Sequence, residues 1–310
     1  MAESTNHNGL YRFSIVTLCS TILLLVAGAL VTNNNAGDSV PDWPLAYGHL
    51  VPPMLVGGIR YEYAHRVIAG IVAVLTLFLA AWLARSAPNR AARRLGWTAL
   101  GLVVAQAALG GARVLFHHPA IVATAHAILA QLFFVAIVSL SLFTSAWWQH
   151  NSASLQDVLS PRLRSLAAWT TVAIFVQLIL GAGFRHDAFG ILPHLVGAVV
   201  VLFLAIWTSR EVRRRFGQVH DLRRWGIYLQ VFLGTQILLG IAAYWAVVKA
   251  AHEVQPNGLF VLIEVAHVAV GALTLAASVI LTLSCARLIR PAEVSKVSAQ
   301  AENSSLESRA

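Results

Sequence analysis

Long apolar runs alternate along the chain with short polar or basic interruptions, and eight of the runs reach the length of a membrane crossing. They fall at about 12–32, 62–84, 95–116, 121–148, 165–184, 188–209, 226–248 and 259–286. About 20 apolar residues in a helix span the hydrocarbon core of a bilayer, so each run predicts one transmembrane helix. The expected fold is all-α and multi-pass, in a cell inner or plasma membrane. Ala27-Gly28-Ala29 in the first run resembles a signal-peptide cleavage site, but the run is long and its pattern recurs later in the chain, so it reads as a retained span.

The interruptions carry the orientation. Arg85, Arg90, Arg93 and Arg94 follow the second run, Arg162 and Arg164 precede the fifth, Arg210, Arg213, Arg214, Arg215, Arg223 and Arg224 follow the sixth, and Arg287 and Arg290 follow the eighth. The alternate loops hold scattered cations, so the positive-inside rule predicts that both termini are cytoplasmic. Trp82, Trp97, Trp147, Trp148, Trp169, Trp207 and Trp225 sit near the same ends, as interfacial anchors do.

Composition sharpens this reading. Of 310 residues 58% are apolar and 11% charged, against about 25% charged in soluble domains. The net charge of +9 could signal nucleic-acid binding, but the cations cluster between spans, where topology accounts for them. The two cysteines, Cys19 and Cys285, belong to apolar runs and read as packing residues rather than as a disulfide or a metal pair.

An internal repeat supplies the organisation. Gln106-x-x-Leu109-Gly110, Gln177-x-x-Leu180-Gly181 and Gln236-x-x-Leu239-Gly240 recur late in the third, fifth and seventh runs, and Leu25-x-x-Gly28 stands in the comparable part of the first. Repeated sequence implies repeated structure. The expected domains are a cytoplasmic tail at 1–11, a four-helix half at 12–148, a cytoplasmic linker at 149–164, a second four-helix half at 165–286 and a disordered tail at 287–310. The glycines also suit ordinary close packing of membrane helices, a reading compatible with the repeat.

Four histidines lie within apolar runs: His65, His126, His194 and His267, each near the start of an even-numbered run. Even runs all enter from the outer face, so the four imidazoles share a depth, about 5–14 Å from the helix starts at 1.5 Å per residue. In the repeat His65 matches His194 and His126 matches His267, giving each half one pair. Two imidazoles projecting inward from a four-helix bundle suit the axial positions of a haem iron. The close helical spacing of histidines in zinc sites is absent, and no cysteine assists.

Arg66, Arg113, Arg185 and Lys249 stand at outer helix ends, where they could pair with haem propionates or simply snorkel to the interface. Glu62 lies three residues before His65 and on the same helical face. It is either a helix-start carboxylate or a group beside a porphyrin edge that accepts a proton or stabilises positive charge. Glu264 holds the same relation to His267, as a partner to the ligand or as part of a proton path.

With these residues in view the sequence resembles the haem A synthases, which convert haem O to haem A for cytochrome oxidase. The resemblance is carried by Gly28-Ala29-x-Val31-Thr32, Asp42-Trp43-Pro44, Glu62-x-x-His65-Arg66, Leu109-Gly110-Gly111 and the single histidines at 126, 194 and 267. It implies that the first half holds the substrate haem on His65 and His126 with Glu62 at the reacting methyl. It also implies a resident haem b on His194 and His267, and a link to the farnesyltransferase that forms haem O and to oxidase assembly factors. The loop at 33–61 has no cysteine pair, unlike some members, which excludes a thiol role there. The surrounding partner is membrane lipid, no nucleic acid is expected, and an oligomer is left open. The competing readings are a non-catalytic di-haem b electron carrier and a haem transporter or chaperone.

Overall fold

The computed structural model describes residues 2–116, 120–250 and 257–290. The described residues form α1 (Ala2–Asn33), α2 (Gly57–Ser86), α3 (Arg90–Phe116), α4 (Ala120–Phe143), α5 (Ala146–His150), α6 (Leu163–Arg185), α7 (Leu192–Phe216), α8 (His220–Ala250) and α9 (Gly258–Leu288). All but α5 are long and apolar enough to cross a membrane. The all-helical, eight-span expectation holds.

Three boundaries differ from the apolar runs, each for a local reason. The helix α1 reaches back to Ala2 and takes in most of the expected tail: Leu10 is buried, and Gly9 lets the Trp82 indole lie against the backbone. The fourth run breaks at Thr144 and Ser145, where the Ser145 hydroxyl accepts from the Trp148 N–H and starts α5 as a separate cap-initiated turn. Beyond the sixth run, α7 continues to Phe216, because Arg214 and Arg215 pair with Glu211 one turn back and cations suit a helix C-terminus. The expected disordered tail lies almost wholly outside the described residues, at 291–310.

The helices pack as two rings. In one, α1, α2, α3 and α4 touch in sequence and α4 closes on α1; in the other, α6, α7, α8 and α9 do the same and α9 closes on α6. The rings meet through α1 against α9, α4 against α6 and α4 against α9. Lipid tails are as apolar as leucine, so membrane helices associate through close packing and interhelical hydrogen bonds. Here hydroxyls supply those bonds: Ser14 with Thr144 at 3.0 Å, Thr170 with Thr208 at 2.6 Å and Thr171 with Thr282 at 2.8 Å. Leu77, Phe78, Val199, Phe203 and Leu238 point outward, as a lipid-facing surface requires.

The segment between the rings is pinned at the arginine-rich end. Leu155 pairs with Ile289 beside α9, and the Asp157 carboxylate accepts from the Leu163 N–H at the start of α6 while contacting Arg215 at 3.0 Å. Asp157 and Arg215 are almost fully buried, so this pair fixes the linker against α7.

Candidate haem site

The four membrane histidines share one structural setting. Each lies against a glycine of the preceding span: a Cβ placed on Gly28, Gly110, Gly181 or Gly240 would come within 3.3, 3.2, 2.9 and 3.0 Å of Cε1 of His65, His126, His194 and His267 respectively. Each of these contacts is closer than most side chains tolerate, so the missing Cβ is what admits the ring. The helices begin in ways that set the registers. Pro193, in the first turn of α7, needs no N–H partner there and puts His194 at the helix start, and the Asn257 side chain accepts from the Leu259 N–H to start α9.

His194 and His267 face each other across the second ring, with ring centroids 6.5 Å apart and planes at 79°. Two imidazoles bound to opposite sides of one metal ion at about 2.0–2.1 Å would place their centroids roughly 6.4 Å apart, so the spacing fits two axial ligands. His126 lies within electrostatic range of His65 in the first ring. Nδ1 of His65, His126 and His267 is buried without a hydrogen-bond partner on the side of the ring that faces the notch glycine, a costly state for a polar atom. No cluster of three or more metal-ligating side chains occurs among the described residues.

The loop between α1 and α2 closes over the same end of the first ring. Glu62, 4% exposed, contacts Arg66 at 2.5 Å through Oε1 and accepts from the Val40 N–H at 2.9 Å through Oε2. Arg66 donates onward to the carbonyls of Asp42 at 2.6 Å, Leu45 at 2.9 Å and Val40 at 3.1 Å. The loop braces itself as well. The Asp42 carboxylate accepts from the N–H groups of Tyr47 and Gly48, both at positive φ, and the Gly48 bond foremost holds its pKa below the usual carboxylate value. Trp43 lies on Gly111 of α3, where a Cβ would sit 2.7 Å from the indole.

The remaining predicted cations separate. Arg113 reaches under the loop to Gly37, whose missing Cβ leaves room for the guanidinium. Arg185, at the end of α6, donates to the Asn33 side chain at 2.9 Å and the Thr32 carbonyl at 3.1 Å, joining the second ring to α1, with Glu264 4.0 Å away. Lys249 belongs to α8, but its side chain lies outside the described residues, as do His117, His118 and His252.

Two features escape a reading by composition. His186, which follows α6, comes into electrostatic range of His126 and Arg113 across the boundary between the rings. Burial, then Arg113 and Arg185, push its pKa down to about 4. The other is the glutamine that precedes three of the notch glycines by one helical turn. Gln106 Nε2 donates to the His126 carbonyl at 3.0 Å, Gln177 Nε2 to the His194 carbonyl at 2.9 Å, and Gln236 Nε2 lies 3.3 Å from His267 Nε2. The Gln-x-x-Leu-Gly spacing was the available signal for these contacts.

Residues 62–193 match the family model COX15-CtaA, cytochrome oxidase assembly protein. The chain is 29% identical over 259 residues to a haem A synthase of Symbiobacterium thermophilum, covering 73% of this chain and 83% of the relative. It is 27% identical over 184 residues to a haem A synthase of Shouchella clausii, covering 58% and 60%, and 30% identical over 180 residues to one of Lysinibacillus sphaericus, covering 56% and 57%. The matched part thus spans about three-fifths of the length of the last two relatives. With the paired histidines and the Glu62–Arg66 motif in place, the chain is similar to the COX15-CtaA family over residues 62–193 and to curated haem A synthases over more than half of its length.

Proposed function

We propose that this protein is itself a haem A synthase. It takes haem O into the α1–α4 ring, with His65 and His126 as iron ligands, and oxidises one porphyrin methyl to the formyl group of haem A. His194 and His267 hold a haem b in the α6–α9 ring, which when bound supplies a one-electron redox centre beside the substrate site. The observation that carries the reading is the recurrence of one device, an imidazole seated in a glycine notch, at two pairs of helices, with one pair already at axial-ligand spacing.

The chain's own groups have distinct tasks. We assign to the Glu62 carboxylate the steadying of positive charge that develops at a neighbouring porphyrin edge; its ion pair with Arg66 and its bond from the Val40 N–H latch the loop. The loop, with Trp43 on α3, covers that end of the ring. Arg113 and Arg185 are the cations we assign to propionates, with Glu264 holding Arg185 in place. Arg66 serves the loop instead. We place the loop end at the outer face and both termini in the cytoplasm. The expected partners are the farnesyltransferase that supplies haem O and the oxidase assembly machinery that receives haem A.

Haem extraction and chromatography of the protein purified from cells that supply haem O test this. The wild type should yield haem A and haem O together with haem b; haem b alone would contradict the proposal. Glu62→Ala should lower the haem A yield by about 100-fold, as loss of a preorganised stabilising group does, with haem b retained. Undiminished haem A in that variant would remove Glu62 from the reaction.

A further inference from the structure

The part of the α1–α2 loop that runs into α2 turns apolar side chains outward. Leu50 is 83% exposed and Met54 61%, and Val51, Leu55 and Val56 are also more than half exposed. No charged residue stands between Asp42 and Arg60, and residues 51–56 form neither helix nor strand. Exposed apolar residues scattered singly need no explanation, but a contiguous run marks a contact surface. Its anchors show where this one lies. The Tyr63 hydroxyl donates to the Leu50 carbonyl at 3.1 Å, and Arg66 donates to the Leu45 carbonyl at 2.9 Å. Side chains on a helix lean towards its N-terminus, so these carbonyls lie beside the first turns of α2 rather than above its end. The 30 residues of α2 make about 45 Å at about 1.5 Å each, the thickness of a bilayer with its headgroup layers included. A segment beside the first turns therefore sits at headgroup depth.

Tyr63 also fixes the side. With 3.6 residues per turn, Tyr63 shares a face of α2 with Val67, Val74 and Phe78, all three of them exposed. His65 points the other way, to Gly28 of α1. The segment tied to Tyr63 thus stands at the head of the lipid-facing strip of α2. Its chemistry suits that place: Pro52 and Pro53 have no N–H to strip of water, and the nearby Trp43 and Tyr47 are the residue types that gather at membrane interfaces. Irregular backbone facing lipid is excluded from the hydrocarbon core but not from the hydrated headgroup layer. We propose that residues 50–56 form an interfacial flap whose partner is lipid. The flap lies in the boundary between headgroups and acyl chains, with its apolar side chains in the leaflet. Arg66 holds the loop on the ring side and the leaflet holds it on the other. Continuity with the lipid-facing strip of α2 favours lipid over a second copy of the chain. This placement rests on the eight spans and not on what the rings bind.

The test uses the full chain in phosphatidylcholine nanodiscs. Cys285 is buried and Cys19 exposed, so Cys19→Ala removes the accessible thiol and a nitroxide can be attached through Met54→Cys or Leu55→Cys. Power saturation should show more collision with oxygen, which concentrates in lipid, than with a water-soluble nickel chelate, as at the lipid-facing control Val74→Cys. Predominant nickel collision, the behaviour expected of Gln218→Cys in the turn between α7 and α8, overturns the proposal. So does a label shielded from both, which would mean that protein covers the segment. The unsubstituted chain gives a second reading that no folding defect can spoil, since Met54 is one of two methionines. Chloramine-T, an anionic oxidant confined to water, should convert Met54 to the sulfoxide about tenfold or more slowly in nanodiscs than in a free peptide of residues 48–58, as withdrawal of the side chain from water implies. Equal rates overturn the proposal.

Discussion

Each proposed ligand depends on an atom that is absent. At Gly181 an added Cβ would come 2.9 Å from His194 Cε1, so something must move, and α6 is held on its other sides by α4 and α9. Gly181→Ala should therefore push the imidazole off its axis and cost the second ring most of its haem, read as a loss of haem b per chain. Gly28→Ala, with 3.3 Å to His65, should be milder. Equal haem content in wild type and Gly181→Ala would show that the notch does not set the ligand. The histidines and glycines were both legible in the sequence, the first as costly polar groups in apolar runs and the second as a repeat. Their mutual contact was not, because it joins residues 13 to 37 positions apart that only the antiparallel packing of successive helices brings together.

At the scale of elements, the loop between α1 and α2 is fixed by a few strong interactions rather than by regular structure. Arg66 is the hub, with donors to three carbonyls and to Glu62. Arg66→Ala should release the loop, leave Glu62 without its cation and expose residues 41–56 to limited proteolysis under conditions in which the wild-type loop resists cutting. A loop equally resistant in both proteins would assign its order to Trp43 and the Asp42 turn instead. Arg66 adjoins a proposed ligand in the sequence, which suits a propionate partner; loop carbonyls from residues 21 to 26 positions away occupy its guanidinium instead, a contact that only the folded loop creates. Helix existence was readable throughout from hydrophobic length. The ends moved where capping or ion pairing intervened, at Ser145 and Glu211, as local side-chain chemistry decides the last turn.

For the whole molecule, the two rings touch near the site through Arg185, which reaches Asn33 and Thr32, and through His186, which faces Arg113 and His126. His186 sits among cations and is neutral at pH 7. With a folded pKa of about 4 below the ordinary 6.5, the unfolded chain takes up the proton first. The part of the stability that depends on a neutral His186 is therefore complete above about pH 6.5 and is lost as pH falls towards about 4. Replacing His186 by Gln should flatten the decline in thermal midpoint between pH 6.5 and 4; an identical decline in both proteins would show that the group does not couple the rings to pH. Eight spans and four histidines were open to a reader of the sequence, whereas the contacts between rings depend on which helices meet, which no periodicity encodes.

The account rests on imidazoles that meet in pairs around iron, and electron paramagnetic resonance of the oxidised, haem-loaded protein examines this most directly. The wild type should show two low-spin bis-imidazole signals. Alanine at His194 or His267 should abolish or convert one signal and spare the other, and alanine at His65 or His126 should do the reverse. Retention of both signals in all four variants, or loss of both in each, would contradict it.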